Sequence, residues 1–133
     1  YNSPKAQQFN AHNQVSVLIF WSSINTQIRM KALISKTSKE FSDEHFKGRS
    51  KEKNALAISS NQSKIIDSFD EVEKNFNHAL NAITPNAVRP EYWGGFSFTP
   101  YYFEFWQGHK NRLNKRHVFE QQDNKWEERL LQP

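Results

Sequence analysis

Two short basic segments contain the residues of this chain that are best suited to bind an anion. The first, Lys47–Lys53, reads KGRSKEK, and the second, His109–His117, reads HKNRLNKRH. Arginine binds phosphate through paired hydrogen bonds, and lysine adds positive charge. Trp106, just before the second segment, offers a flat apolar wall. The pattern indicates either a solvated charged surface or a site for phosphate, on a nucleic acid or on a small cofactor.

Other kinds of chemistry have little support in the sequence. The chain has no cysteine, which excludes disulfides, thiolate metal sites and a thiol nucleophile. Its five histidines lack the HExxH or HxxxH spacing of zinc hydrolases, and no GxSxG segment occurs. Gly94-Gly95 lacks the GxGxxG and GxxxxGK[ST] patterns of phosphate loops, so we interpret it as a tight turn. We therefore predict no metal site and no acyl transfer.

Length and composition favour one domain that gains from a partner subunit. The chain has 133 residues, of which 36% are hydrophobic and 14% aromatic, and its formal net charge is +4. Domains commonly contain about 100–150 residues, and the mean hydropathy of -0.88 leaves little apolar excess for a core. Burying more surface against a second subunit would stabilise such a fold.

The sequence predicts a protein without a membrane partner. Its most apolar run, Val15–Trp21, is far shorter than the roughly 20 residues that span a bilayer. The first residues, YNSPKAQQ, contain neither an apolar signal core nor an initiator Met, which suggests a fragment or a processed chain. The absence of cysteine fits a reducing compartment, and we expect a cytoplasmic location.

Apolar patterns predict a mainly β fold of antiparallel strands with peripheral helices. Val15–Trp21 is typical of a buried strand, and Gln27–Lys36 alternates apolar and polar residues as a half-buried strand does. We expect these two strands to form a hairpin. Three or four strands are predicted after Pro90, at Gly95–Thr99, Tyr102–Gln107, Arg116–Gln121 and Lys125–Leu130, with turns at Pro100 and Asp123-Asn124.

Four helices are predicted around the strands. Ser3-Pro4 is typical of a helix start, and this helix is expected to end near Asn13. Thr37–Glu40 and Ser68–Glu71 have the sequence of capping boxes, each opening a helix. A further helix is predicted at Lys51–Ile58. The last helix carries an apolar stripe that we interpret as core packing, formed by Phe69, Val72, Phe76, Leu80 and Ile83.

Several segments occur in the order and spacing of motifs from a known family. PEYWGGF, EFWQG, NRLNKR and ERLLQP resemble the C-terminal region of pyridoxamine 5'-phosphate oxidases, which typically show WGG, EFWQG, RLHDR and ERLxP. Upstream, SPKA resembles SRKA, and HFKGRSKEKNALAISSNQS resembles YFxSRPxxSQIGAWxSxQS. NQVSVLIFWSSINTQIRMKA resembles the family's strand, Trp and Gln-bearing strand. The resemblance covers essentially the whole chain.

This resemblance implies a fold and an assembly. The fold would be an antiparallel split β-barrel of the FMN-binding type with peripheral α-helices, working as a homodimer with shared flavin sites. Residues 1–133 would form a single, partial split-barrel domain, with 88–133 as the C-terminal dimerisation region. Family members carry about three strands before SRKA, including a VLLK segment and a YTN turn. We therefore expect the N-terminal strands of the barrel to be missing from this chain.

The resemblance also implies a function in vitamin B6 salvage. The family uses FMN and O₂ to oxidise pyridoxamine or pyridoxine 5'-phosphate to pyridoxal 5'-phosphate. Matching positions assign the substrate to Arg49, Arg112, His45, Lys53 and Asn114, with Arg49 at its phosphate. They assign FMN to Lys5, Gln27, Gln62, Ser63, Trp106 and Arg116. No side chain is required to act as a nucleophile, because the flavin accepts the hydride.

The chain departs from the family pattern at several of these positions. Asn114 replaces the His of RLHDR and Lys115 replaces its Asp, while His45 and Lys53 replace a Tyr and a Ser. Pro4 replaces an Arg that lies against the flavin phosphate. Three alternatives follow: a truncated, non-catalytic homologue that keeps the dimer surface, a related FMN oxidase of another substrate such as a phenazine precursor, or nucleic-acid binding through the basic segments.

Overall fold

A computed structural model describes all of residues 1–133. Five strands form one antiparallel sheet in chain order. The strands are β1 (Gln14–Trp21), β2 (Thr26–Lys36), β3 (Phe96–Gln107), β4 (Lys115–Gln122) and β5 (Lys125–Leu131). The helices are α1 (Pro4–Ala11), α2 (Lys39–Lys47), α3 (Lys51–Ser59) and α4 (Phe69–Ala82). None of these helices is long and apolar enough to cross a membrane.

The residues group into two compact units. The sheet unit contains residues 12–35 and 97–133, and the helical unit contains residues 1–11 and 36–96. The single domain expected over residues 1–133 stays a prediction.

The predicted hairpin opens the sheet unit. β1 pairs antiparallel with β2, with Val17 opposite Met30. Along β2, Ile28, Met30 and Ala32 are buried, whereas Arg29 alternates with them and is exposed. This alternation confirms the half-buried strand, because successive side chains of a strand project to opposite faces.

The predicted break at Pro100 is wrong, since β3 is one strand through this residue. The β3–β4 pairing runs from Tyr102 opposite Glu120 to Gln107 opposite Lys115. Pro100 lies outside it, so its missing N–H costs no hydrogen bond in that ladder. The predicted turn at Asp123-Asn124 is confirmed between β4 and β5, with φ of 48° and 63°.

Three expectations about the helical unit are corrected. The N-cap of α2 is Ser38 and not Thr37. The Ser38 hydroxyl accepts from the Phe41 N–H, whereas the Thr37 hydroxyl forms a hydrogen bond with the Ser42 hydroxyl at 2.8 Å. Ser68 precedes α4 without a side-chain cap. The apolar stripe of the last helix is only partly core. Val72, Phe76, Leu80 and Ile83 are half-buried, and Phe69 is exposed.

The predicted tight turn at Gly94-Gly95 is also wrong. The turn lies earlier in the chain, at Glu91-Tyr92, where the Trp93 N–H donates to the Pro90 oxygen at 3.0 Å, and neither glycine has a positive φ. A Cβ at Gly94 would instead overlap the ring of Tyr1, and one at Gly95 would press on Thr37. Close approach, and not backbone freedom, explains the absence of side chains here.

Candidate functional site

One face of the sheet carries three residues that the resemblance assigns to the cofactor. Trp106 on β3 is the register partner of Arg116 on β4, so their side chains project from the same face. Gln27 and Arg29 are two residues apart on β2, so their side chains lie on the same face. Arg29 donates to Glu104, which is two residues from Trp106 on β3 and therefore on the face of Trp106. Gln27, Trp106 and Arg116 therefore share a face.

A buried carboxylate holds the arginines of this face. Glu104 is only 3% exposed, and its Oε1 accepts from Nε of Arg116 at 2.7 Å and from Nη2 of Arg29. Its Oε2 accepts from the Tyr102 hydroxyl at 3.1 Å. Burial opposes ionisation, but the hydrogen bonds from Arg116 and Arg29 outweigh it and lower the pKa of Glu104 to about 2. Two guanidinium groups thus share one carboxylate, and the cluster stays positive.

Arg116 keeps a donor for a ligand. Its Nε is bonded to Glu104, and its Nη1 donates to the main-chain oxygen of Gln132 at 3.1 Å. A guanidinium has five N–H donors, so Nη2 remains available. The hydrogen bond with Glu104 raises the pKa of Arg116. With the half-buried ring of Trp106 beside it, this group suits a planar, anionic ligand.

The turn between β3 and β4 carries two of the substrate candidates. The Asn114 Oδ1 accepts from the main-chain N–H of His109 at 3.0 Å, and the N–H of Asn114 donates to the oxygen of Arg112 at 2.8 Å. Arg112 has a φ of 64°, in the left-handed region that non-glycine residues seldom adopt. The exposed Arg112 side chain therefore extends from a turn that Asn114 closes.

The other substrate candidates meet around Trp93 in the helical unit. The Arg49 guanidinium lies over the Trp93 ring, with 4.6 Å between Cζ and the ring centroid. The His45 ring stacks on Trp93 with centroids 6.1 Å apart and planes 9° apart. Nη2 of Arg49 donates to the main-chain oxygen of Lys53 at 3.0 Å, while the Lys53 side chain is exposed. The Trp93 cluster, defined as Trp93, His45, Arg49 and Lys53, has the donors that a phosphate requires.

An ion pair fixes the main chain at Trp93. Arg89 donates through Nη1 to the Trp93 carbonyl oxygen and through Nε to Asp43 at 2.6 Å. Hydrogen bonds from Lys39 and then Arg89 lower the pKa of Asp43. The buried Phe46 packs edge-on against the Trp93 ring, with centroids 5.3 Å apart. The ring that carries Arg49 is therefore held from several sides.

The remaining cofactor candidates are exposed residues of the helical unit. Lys5 is exposed on α1, and Gln62 and Ser63 are exposed in the loop that follows α3. Ser63 adopts a φ of 67°. No hydrogen bond joins these three side chains to one another.

Sequence reasoning assigned no role to Glu104 or Trp93. A usable signal existed for Glu104, which is the one charged residue of the aromatic strand FSFTPYYFEFWQ. A lone acid on such a strand, with Arg29 and Arg116 on the adjacent strands, predicts a buried ion pair. For Trp93 no local pattern indicates the contact with Arg49, which is distant in sequence.

Comparison with known proteins finds relatives of one kind. Residues 93–133 match the model described as the pyridoxine 5'-phosphate oxidase C-terminal dimerisation region. The whole chain is 34% identical to a pyridoxine/pyridoxamine 5'-phosphate oxidase of Hydrogenovibrio crunogenus and 36% identical to one of Rhodopirellula baltica. It covers 63% and 62% of those proteins, respectively, so it spans less than two thirds of their length.

Two solved structures share the fold. PhzG from Burkholderia lata, in complex with tetrahydrophenazine-1-carboxylic acid, matches 99% of this chain with 65% of its own, at a TM-score of 0.88 and 24% identity. The second is a pyridoxamine 5'-phosphate oxidase-related, FMN-binding protein from Nostoc punctiforme. The match covers 99% of this chain and 69% of that protein, with a TM-score of 0.68 and 14% sequence identity. The fold is that of the FMN-binding split barrels. Within that class, the chain is similar over its whole length to pyridoxine/pyridoxamine 5'-phosphate oxidases.

The donors of the sheet unit fit FMN. This cofactor combines a planar ring that bears carbonyl oxygens with a charged phosphate. Trp106 supplies an apolar wall, and Arg116 and the half-buried Gln27 supply hydrogen-bond donors. The surplus positive charge around Glu104 suits an anion.

Proposed function

We propose that this protein is an FMN-dependent oxidase that converts pyridoxamine or pyridoxine 5'-phosphate to pyridoxal 5'-phosphate, with O₂ as the electron acceptor. The observation that carries the proposal is the shared sheet face on which Trp106 and Arg116 are register partners and Glu104 holds Arg116. An aromatic wall beside a fixed guanidinium is what a flavin ring with a phosphate tail requires.

On the sheet face, Gln27, Trp106 and Arg116 would contact FMN. The resemblance separately assigns FMN to Lys5, Gln62 and Ser63 of the helical unit. Lys5 adds a charge for the FMN phosphate, which Pro4 cannot do in place of the family's arginine.

The Trp93 cluster would bind the substrate phosphate. Arg49 is charged and already oriented by the Trp93 ring and the Lys53 carbonyl. His45 and the Lys53 ammonium supply further donors in place of the family's Tyr and Ser. In the sheet unit, Arg112 and the Nδ2 of Asn114 on the β3–β4 turn are the other substrate-binding residues that the resemblance implies.

Bound FMN would supply the hydride acceptor, and O₂ would leave as hydrogen peroxide. The side chains of this chain bind, orient and shield the substrate. Asn114 cannot exchange a proton at neutral pH, so the proton that the substrate alcohol or amine releases would pass to water. With pyridoxamine 5'-phosphate the oxidation would give an imine, which water would hydrolyse to the aldehyde with release of ammonia.

We also propose that two copies assemble as a homodimer. The supporting observations are the match of residues 93–133 to a dimerisation region and the exposed apolar side chains within that stretch. These are Phe98, Phe105, Leu113, Trp126, Leu130 and Leu131. Large exposed apolar side chains within a region matched to dimerisation favour an interface.

Turnover with defined reactants tests the oxidase proposal. Purified protein with FMN should release peroxide when pyridoxine 5'-phosphate is added in air, in a one-to-one ratio to the pyridoxal 5'-phosphate formed. A protein that binds FMN but forms no product from pyridoxine or pyridoxamine 5'-phosphate would contradict the assigned reaction.

A second candidate is a non-catalytic homologue that keeps the dimer surface. The observation that favours it is the use of Asn114 Oδ1 to close the β3–β4 turn, at the position where the family has a histidine. Replacing Asn114 with His separates the two functions. An oxidase should change its substrate affinity with this variant, whereas a non-catalytic homologue should remain inactive in both forms.

A further inference from the structure

The carboxylate of Glu104 joins three strands at the face that bears Trp106. It accepts from Arg29 on β2 and from Arg116 on β4, and it lies on β3 between them. All of these residues belong to the sheet unit. Because Glu104 is buried and its acceptors are occupied within the chain, it is not available to contact a ligand itself.

The effect of Glu104 on Arg116 is geometric. An arginine side chain has many rotamers, and ordering it on ligand binding costs entropy. Here Nε is bonded to Glu104 and Nη1 to the Gln132 carbonyl, so the guanidinium plane is set before a ligand arrives. A residue whose orientation is fixed in advance binds more tightly than a mobile one.

The effect is also electrostatic. Without Glu104, the guanidinium groups of Arg29 and Arg116 would repel each other and separate. With it, both remain close on one face, and one positive charge is left over for an anionic ligand.

We propose that Glu104 is a positioning residue of the flavin site, which fixes the Arg116 guanidinium beside Trp106 and keeps Arg29 near it. This inference rests on the proposed function, since it concerns the same cofactor face. Glu104 contributes no direct contact to FMN and acts through Arg116.

A double-mutant cycle with FMN tests the inference. Glu104→Gln keeps the size of the side chain but removes its charge, and it should weaken FMN binding by about 10- to 100-fold, as the loss of one well-placed charged hydrogen bond does. Arg116→Ala should weaken binding at least as much. If Glu104 acts through Arg116, the double variant should bind FMN no more weakly than Arg116→Ala alone. Equal losses from Glu104→Gln in both backgrounds would overturn the inference.

The control is a matched ion pair elsewhere in the sheet unit. Glu127 accepts from Nη2 of Arg129 at 2.6 Å on exposed β5. Glu127→Gln removes the same charge and should leave the affinity for FMN unchanged. If it weakens FMN binding as much as Glu104→Gln does, general electrostatics and not positioning is the cause.

A second measurement needs no cofactor and guards against a variant that fails to fold. The Arg116 Nε–H should give a slowly exchanging NMR signal in the wild type, because it donates to a buried carboxylate. Glu104→Asp, which keeps the charge but shortens the side chain, should speed this exchange and also weaken FMN binding. Unchanged exchange in Glu104→Asp would contradict positioning.

The outcomes separate the two proposals. Wild-type protein that binds FMN, together with a Glu104→Gln variant of equal affinity, overturns the role of Glu104 and leaves the oxidase proposal intact. Wild-type protein that does not bind FMN overturns both.

Discussion

At the scale of single residues, Trp93 determines how Arg49 is presented. The guanidinium lies over the ring, with 4.6 Å between Cζ and the ring centroid, and it donates to the Lys53 carbonyl oxygen. These two contacts restrict the orientation of the Arg49 side chain. A cation over an aromatic face contributes about 0.5–2 kcal/mol, more where water is excluded.

Replacing Trp93 with Leu should weaken the binding of pyridoxal 5'-phosphate about 3- to 10-fold, because Arg49 loses its ring. The affinity for FMN should not change, since Trp93 is not among the proposed cofactor residues. Trp93→Phe keeps an aromatic face and should retain most of the affinity. Absorbance titration of pyridoxal 5'-phosphate measures this, and a Trp93→Leu variant with wild-type affinity would show that Arg49 does not depend on the ring.

Arg112 combines an unfavourable backbone with a side chain assigned to the substrate. Arg112→Gly should stabilise the fold by about 1 kcal/mol, because glycine adopts a positive φ without strain. Arg112→Ala keeps the strain and is the matched control. Both variants should lose substrate affinity equally, as measured by binding titration alongside chemical denaturation. A glycine variant no more stable than the alanine variant would argue against strain at φ 64°.

At the scale of elements, Glu104 links β2, β3 and β4 through hydrogen bonds that depend on its charge. The pKa of this carboxyl is about 2 in the folded protein against an ordinary value of 4.5. A lowered pKa in the folded state means that the stabilisation is present above pH 4.5 and is lost as the pH falls towards 2. The difference corresponds to roughly 3 kcal/mol.

The free energy of unfolding should therefore fall more steeply between pH 4.5 and pH 2 in the wild type than in Glu104→Gln. The variant lacks the titrating group, so the slope of its unfolding free energy against pH should be smaller, by the equivalent of at most one bound proton. At neutral pH the variant should be less stable than the wild type. Urea denaturation at several pH values measures both slopes. Parallel curves would mean that Glu104 does not carry the acid sensitivity.

The elements that could be predicted from sequence are those set by local patterns. The β1–β2 hairpin and the Asp123-Asn124 turn depend on alternation and on residues that tolerate a positive φ, and both were predicted. Strand β3 was predicted with a break because proline usually ends strands, but Pro100 lies outside the β3–β4 ladder. Whether Pro100 interrupts β3 depends on pairing with strands that are distant in sequence.

At the scale of the whole molecule, much of the candidate site came from the family resemblance and not from local physics. Composition alone left the basic segments open between a charged surface and an anion site. The resemblance assigned Gln27, Trp106 and Arg116 to one cofactor, and these three do share a sheet face. Glu104 has a sequence signal, as the one charged residue of an aromatic strand, whereas the contact of Trp93 with Arg49 appears only once the chain is folded.

Exposed apolar side chains should determine assembly. Leu130 on β5 is 81% exposed and lies within the matched dimerisation region. Leu130→Glu should raise the dimer dissociation constant about 10- to 100-fold, the equivalent of burying one leucine side chain. Ile65→Glu, at a 98% exposed position outside that region, is the control and should have no effect. Sedimentation velocity measures both, and a wild-type monomer at high concentration would contradict the dimer.

The central claim is that the face of Gln27, Trp106 and Arg116 binds FMN. Equilibrium titration of FMN, followed by the quenching of its fluorescence in wild type and in Arg116→Ala, tests it most directly. We expect saturable binding of one FMN per chain and an affinity at least tenfold weaker in Arg116→Ala. No saturation in the wild type, or equal affinities in the two proteins, would contradict the claim.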